Sequence, residues 1–143
     1  MAELAEALHL EVATPLGRAL SVEVRSVQAP SVSGEFGVLS GHLPLLASLK
    51  SGILHYVIDG REHRAAIGPG YAEVSPETMR ILTDQFATPS QIDVKAVRQE
   101  LATTEATLRG LSKDQEADPE KLEQLDRAIA WCHARLDVAQ ERV

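Results

Sequence analysis

At Thr88-Pro89 the apolar residues of this chain change their spacing from every second position to every third or fourth, and that break limits the fold to two different structures in series. Ahead of it, Leu8, Leu10 and Val12 alternate with His9 and Glu11, and Leu20, Val22 and Val24 alternate with Ser21, Glu23 and Arg25. A period of two marks half-buried strands, because successive side chains point to opposite faces. Asp59-Gly60 separates Leu54-His55-Tyr56-Val57-Ile58 from Arg61-Glu62-His63-Arg64-Ala65, which predicts a two-residue hairpin turn with positive φ at both central residues. Gly68-Pro69-Gly70 and Ser75-Pro76-Glu77-Thr78 mark further turns, flanking Tyr71-Ala72-Glu73-Val74 and leading into Met79-Arg80-Ile81-Leu82-Thr83. Short strands with a turn roughly every ten residues predict a β-sandwich or flattened barrel over residues 1–88.

Beyond the break the composition shifts to Glu, Asp, Gln, Ala, Arg and Leu. Ser90 and Asp93 have the spacing of a capping box, so a helix is expected to start there. Val97, Leu101, Leu108 and Leu111, interrupted by Thr104, keep a three-four spacing until Gly110 and the polar residues 112–118 end it. Asp118-Pro119 restarts the chain, since proline's missing amide hydrogen costs nothing at a first helical position. Leu122, Leu125, Ile129, Cys132, Leu136 and Ala139 repeat the same spacing, predicting an antiparallel α-helical hairpin over residues 89–143. Trp131 borders that stripe and is expected to pack within the hairpin, with Cys132 as a small seam residue. So few large apolar side chains leave little surplus once the ordering entropy is met, and the hairpin needs a further surface, either the sandwich or another subunit.

Several function classes fall away. A net charge of −7 argues against binding a phosphate backbone, so no nucleic-acid partner is expected. A single cysteine excludes an internal disulfide and a cysteine zinc cage, consistent with a reducing compartment. No apolar run approaches the ~20 residues of a membrane-spanning helix, and Met1-Ala2-Glu3-Leu4-Ala5-Glu6 lacks the basic start of an export address, so a soluble globular chain is expected. With Asp59-Gly60 as the turn, His63 faces Tyr56 and His55 faces Arg64 across the hairpin. The two imidazoles then lie on opposite faces and cannot share a metal, and no metal site is expected. Gly34-x-x-Gly37-x-x-x-Gly41 is neither a phosphate-binding loop nor a dinucleotide fingerprint, and no nucleophile has a family-specific setting. An enzyme would need His9, Glu35, His42 or Glu73 to converge in space, so no catalytic residue is assigned.

The densest signal is Gly34-Glu35-Phe36-Gly37-Val38-Leu39-Ser40-Gly41-His42-Leu43-Pro44-Leu45-Leu46, followed by Lys50-Ser51-Gly52. Three glycines, a proline, an acid and an imidazole interrupt its apolar residues, which reads as a shaped surface loop with Glu35 and His42 projecting outward and Leu43, Leu45 and Leu46 anchoring it to a core. The run closely resembles the N-terminal domain of F-type ATP synthase epsilon subunits of the bacterial type, departing at Ser40, where that family usually has proline. The likeness spans nearly the whole chain and is most specific over residues 34–52.

That resemblance implies a non-catalytic subunit of the central stalk, fastening the gamma subunit to the c-ring so that proton- or sodium-driven rotation reaches the catalytic head. Glu35 and His42 would meet the c-ring, Gly41 would shape the loop with Gly34, Gly37 and Pro44, and other sandwich surfaces would pack on gamma. The helical domain would be mobile and regulatory, its extended form inhibiting ATP hydrolysis. Arg127 and Arg135, with Lys121, His133 and Arg142 nearby, would then meet the alpha/beta head, although Glu120, Glu123, Asp126, Asp137 and Glu141 dilute that charge. Association with the cytoplasmic face of the inner membrane would be peripheral, through partners. Some bacterial relatives bind ATP through a motif that Ile92-Asp93-Val94-Lys95-Ala96-Val97-Arg98 begins correctly, but Ala96 stands where arginine belongs. Arg98 comes two residues late, about 200° around the helix. ATP as a regulatory ligand through Asp93, Arg98, Arg127 and Arg135 is therefore not favoured, and no cofactor is expected. The alternative function is a stand-alone ligand-binding β-domain with a helical oligomerisation hairpin.

Overall fold

A computed structural model describes residues 7–114 and 116–140. The stretch Met1 to Glu6, read above for an address, and Glu141 and Arg142, weighed above for the charge of the helical domain, lie outside the described residues. Ten strands come first: β1 Leu8–Thr14, β2 Gly17–Val24, β3 Ser26–Ser31, β4 Gly34–Leu39, β5 Leu45–Leu49, β6 Gly52–Ile58, β7 Arg61–Ile67, β8 Gly70–Val74, β9 Thr78–Thr83 and β10 Phe86–Ala87. A single 3₁₀ turn, Pro89–Gln91, leads into helices α1 Val94–Ser112 and α2 Pro119–Gln140. The expected order of a β-sandwich and then a helical hairpin is the observed one.

The strands pair in the order β10-β7-β6-β3-β5-β8-β9-β1-β2, with β4 added beside β3. All pairs are antiparallel except β1 with β9. The sheet folds over at β3, which pairs with β6 through Ser26 to Gln28 but with β5 only at Ser31. Between the two layers the period-two residues meet: Leu8, Leu10 and Val12 of β1 pack with Val27, Leu54, Val74, Met79 and Ile81, all nearly inaccessible to solvent. Asp59 and Gly60 both have positive φ, 50° and 78°, and the register places His63 opposite Tyr56 and His55 opposite Arg64, as the turn requires.

Three expectations about element bounds need correction. Residues 34–39 form a strand and 45–49 another, so only residues 40–44 are a loop. β4 tolerates its glycines because it is an edge strand bonded only to β3, with Val38 its one buried side chain. Ser90 is not a helix cap: α1 begins at Val94, with Asp93 Oδ1 accepting from Ala96 N–H at 3.2 Å. Pro89 and the Thr88 N–H to Gln91 Oε1 bond of 2.9 Å hold the preceding residues in a separate turn. Gly110 lies inside α1 rather than ending it.

The second helix starts as expected, Glu120 N–H bonding Asp118 Oδ1 at 3.0 Å ahead of Pro119. It carries two apolar stripes. Cys132 and Leu136 close the hairpin on Val97 of α1, with Ile92, Val94 and Leu101 alongside. Trp131, Ala134 and Val138 form the other, packing on Ala66 and Ala87 at the outer face of β7 and β10, with Ile53 and Ile92 at the margin. Trp131 therefore belongs to the sandwich contact rather than to the hairpin seam, because one residue of offset turns it about 100° from Cys132. Arg64 on β7 seals the far end, its Nε donating to Val138 O at 2.8 Å.

Candidate functional site

The loop of residues 40–44 closes one end of the sandwich. Gly41 has a φ of +87°, a left-handed conformation natural to glycine, and its N–H bonds Pro76 O at 2.7 Å, tying the loop to the β8–β9 turn. His42 N–H bonds Leu39 O at 3.1 Å, which tightens the turn out of β4. The His42 side chain is half-buried, with Nδ1 2.6 Å from Leu43 O. That contact sets the direction of the imidazole at this end of the sandwich.

Glu35 sits elsewhere. It pairs with Pro30 near the start of β4, exposed, and accepts a 2.7 Å hydrogen bond from Gln28 Nε2 across the strand pair. Leu39 lies four positions further along the strand, about 13 Å away, before the chain turns toward His42. The structure does not gather Glu35 and His42 into one cluster. Both are available to a partner only along an extended flank of β4.

The apolar residues around this loop are not anchors. Leu43 is 78% exposed, Leu46 71% and Leu45 38%. Leu46 lies on the outer face of β5, and Tyr71 and Leu82, directly opposite each other on β8 and β9, continue that face at 59% and 53% exposure. Polar residues border the patch: Arg80 lies 3.6 Å from Glu11 and 4.0 Å from Glu73, and Arg18 lies 3.0 Å from Glu11. An apolar centre with a charged rim is the anatomy of a protein contact surface. The opposite outer face, over β6 and β7, is the one α2 covers. Sequence reasoning missed this surface because exposure of Leu46, Tyr71 and Leu82 follows from strand register, which their own segments do not reveal.

The basic residues of the hairpin differ in setting. Arg127 is exposed and pairs with Glu123 one turn away at 3.6 Å. Arg135 is only 16% exposed and bonds Glu100 Oε2 of α1 at 2.9 Å. From that cross-link Asp93 lies seven residues one way and Arg127 eight the other, so the two stand about 22 Å apart along the hairpin. Asp93 is already engaged as the cap of α1, and Arg98 points to solvent on that helix. The four residues considered for ATP are not brought together in this arrangement.

His9 has unexpected company. Its Nε2 lies 3.0 Å from Ser21 Oγ and its Nδ1 2.8 Å from Glu23 Oε2, an order of contacts that in hydrolases activates a serine. Here it stands on the open outer surface of β1 and β2, with Glu23 65% exposed, and clasps the two strands together. Glu35, His42 and Glu73 take other partners and do not join it. Among the described residues no three His, Cys, Asp or Glu side chains gather as metal ligands, and no helix is long and apolar enough to cross a membrane.

Comparison with known proteins agrees with this architecture. Residues 7–89 match the family model for the β-sandwich domain of the ATP synthase delta/epsilon chain. The ATP synthase epsilon chain of Anaeromyxobacter sp. strain K is 37% identical over 133 residues, covering 93% of this chain and 98% of the relative. That of Citrifermentans bemidjiense is 40% identical over 111 residues, covering 78% and 80%. Among solved structures, a chain of the Euglena gracilis mitochondrial ATP synthase assembly of OSCP, F1 and c-ring shares the fold with a TM-score of 0.77 at 22% identity, over 98% of this chain and 85% of that one. A chain of the Tetrahymena thermophila mitochondrial ATP synthase central stalk and c-ring aligns with a TM-score of 0.55 at 12% identity, over 90% and 96%. With a sandwich that matches the family model throughout and a relative aligned over almost its full length, this chain belongs to the ATP synthase epsilon chain family.

Proposed function

We propose that this chain is a non-catalytic rotor subunit that fastens the gamma subunit to the c-ring of an ATP synthase, with residues 1–88 for assembly and residues 89–143 for regulation. The observation that carries the reading is the exposed apolar face of Leu46, Tyr71 and Leu82, opposite the face already occupied by α2. A stalk partner such as gamma would bury those residues, and the rim of Glu11, Glu73 and Arg80 would set its orientation more than its affinity. The end loop, with His42 on a glycine-shaped turn and Glu35 further along β4, faces the c-ring in this reading. The chain sits peripherally at the cytoplasmic face of the bacterial inner membrane, held there by its partners. The hairpin restrains ATP hydrolysis when it leaves the sandwich and reaches the alpha/beta head with Arg127 and Arg135; ATP binding by the hairpin forms no part of the proposal.

The test uses the intact chain with purified gamma subunit and c-ring. Tyr71→Glu and Leu46→Glu should abolish co-purification with gamma, whereas Glu35→Ala with His42→Ala should keep gamma and lose c-ring capture in sedimentation. Full gamma binding by the folded Tyr71→Glu chain would overturn the assignment of that face.

A further inference from the structure

Arg135 touches three parts of the helical packing at once. Its Nη2 donates to Glu100 Oε2 on α1 at 2.9 Å and lies 3.5 Å from Cys132 Sγ in the hairpin seam. Its guanidinium carbon stands 5.2 Å from the centre of the Trp131 ring, and its Nε bonds Trp131 O at 3.4 Å. Trp131, 8% exposed, is packed on the sandwich residues Ala66 and Ala87. We propose that Arg135 couples closure of the α1–α2 hairpin to docking of α2 on the sandwich, so that the two contacts are lost as one event. The coupling acts within the isolated chain and needs no rotor partner.

The coupling follows from where the charge sits. If α1 swings away, Glu100 leaves a largely buried guanidinium without its carboxylate, and removing one member of a desolvated pair costs more than the pair contributes. The arginine must then turn out to water, and Trp131 loses both the cation over its ring and the cover over its edge. In the other direction, when Trp131 leaves Ala66 and Ala87, water reaches Arg135 and screens its bond to Glu100. Each contact therefore favours the other by the same free energy, as linkage requires.

The chain carries its own two reporters, having one tryptophan and one cysteine. Trp131 emission reads docking, and modification of Cys132, which is 0% exposed, reads hairpin opening. Glu100→Gln touches no sandwich residue, yet it should speed Cys132 modification about tenfold in the full chain, the loss expected for a charged hydrogen bond. Each rate is divided by that of the urea-unfolded variant, which removes changes in intrinsic thiol reactivity. Glu100→Gln should also move the urea midpoint of Trp131 emission downward together with that of thiol exposure. In an Arg135→Met background, which keeps the apolar stem, the same substitution should leave the Trp131 midpoint unmoved; Arg135→Lys, a charge without the planar fork, serves if the methionine variant does not fold. A Trp131 midpoint indifferent to Glu100→Gln, or Cys132 reacting while Trp131 emission is still native, would overturn the proposal.

Discussion

Gly70 opens β8 with its backbone pressed against β9, and a Cβ built there would lie 1.9 Å from Leu82 O and 2.8 Å from Thr83 Cα. Both are backbone atoms of a paired strand, so neither can yield without breaking the ladder. Gly70→Ala should cost more than about 3 kcal/mol in urea denaturation, the range of severe overpacking. Gly60 has open space around it but a φ of +78°, and Gly60→Ala should cost only about 1–2 kcal/mol, the strain of a left-handed residue. Titration adds a residue-scale prediction. Burial raises the Tyr56 phenol above its ordinary 10.0, and burial, followed by the charge of Glu100, raises the Cys132 thiol above its ordinary 9.0. Both groups are held neutral when folded, so their contribution is complete below those unfolded values and is lost as pH rises through the raised folded ones. The urea midpoint should accordingly fall between about pH 9 and 11, and Tyr56→Phe should flatten that decline. A midpoint unchanged across that range would show that neither group is desolvated by the fold.

Among the elements, α1 shows how two adjacent signals compete for one helix start. Ser90 had the spacing of a cap, but Pro89 and the bond from Thr88 N–H to Gln91 Oε1 commit residues 89–91 to a 3₁₀ turn, and Ile92 is extended after it. The first free amides of the helix are then those beyond Asp93, which accepts from Ala96 N–H. Asp93→Ala should lower hairpin stability by about 1 kcal/mol in a thermal melt followed by circular dichroism, while Ser90→Ala should leave it within about 0.5 kcal/mol. β4 teaches a similar lesson for strands. Its glycines argued for a loop, yet an edge strand needs only one face and one partner, and Gly37 fits where β3 is already paired on its other side. The spacing of Gly41 and His42 was legible as a special turn because the reason for it is local, a positive φ and a bond to the neighbouring turn.

At the scale of the whole molecule the hairpin finds its missing surface on the outer face of β7 and β10, where Ala66 and Ala87 are small enough for Trp131, Ala134 and Val138 to lie close. Ala134→Glu places a charge in that seam and should free the hairpin while leaving the sandwich folded. Small-angle scattering would register a larger radius of gyration, and Trp131 emission would shift to the red; an unchanged profile would mean that other contacts hold the hairpin. The strand periods, the Asp59-Gly60 turn, the Asp118-Pro119 start and the hairpin stripes were readable in the chain, because each depends on residues within a turn or two of one another. The second stripe of α2 and the bare face of Leu46, Tyr71 and Leu82 were not, since apolar residues default to a core reading and burial is only a one-way rule. Which outer face is covered and which is left bare is settled by strand register and by the match of α2 to two alanines distant in sequence. That match is a property of surfaces formed only after folding, whereas period and turn chemistry act through neighbours the chain already holds side by side.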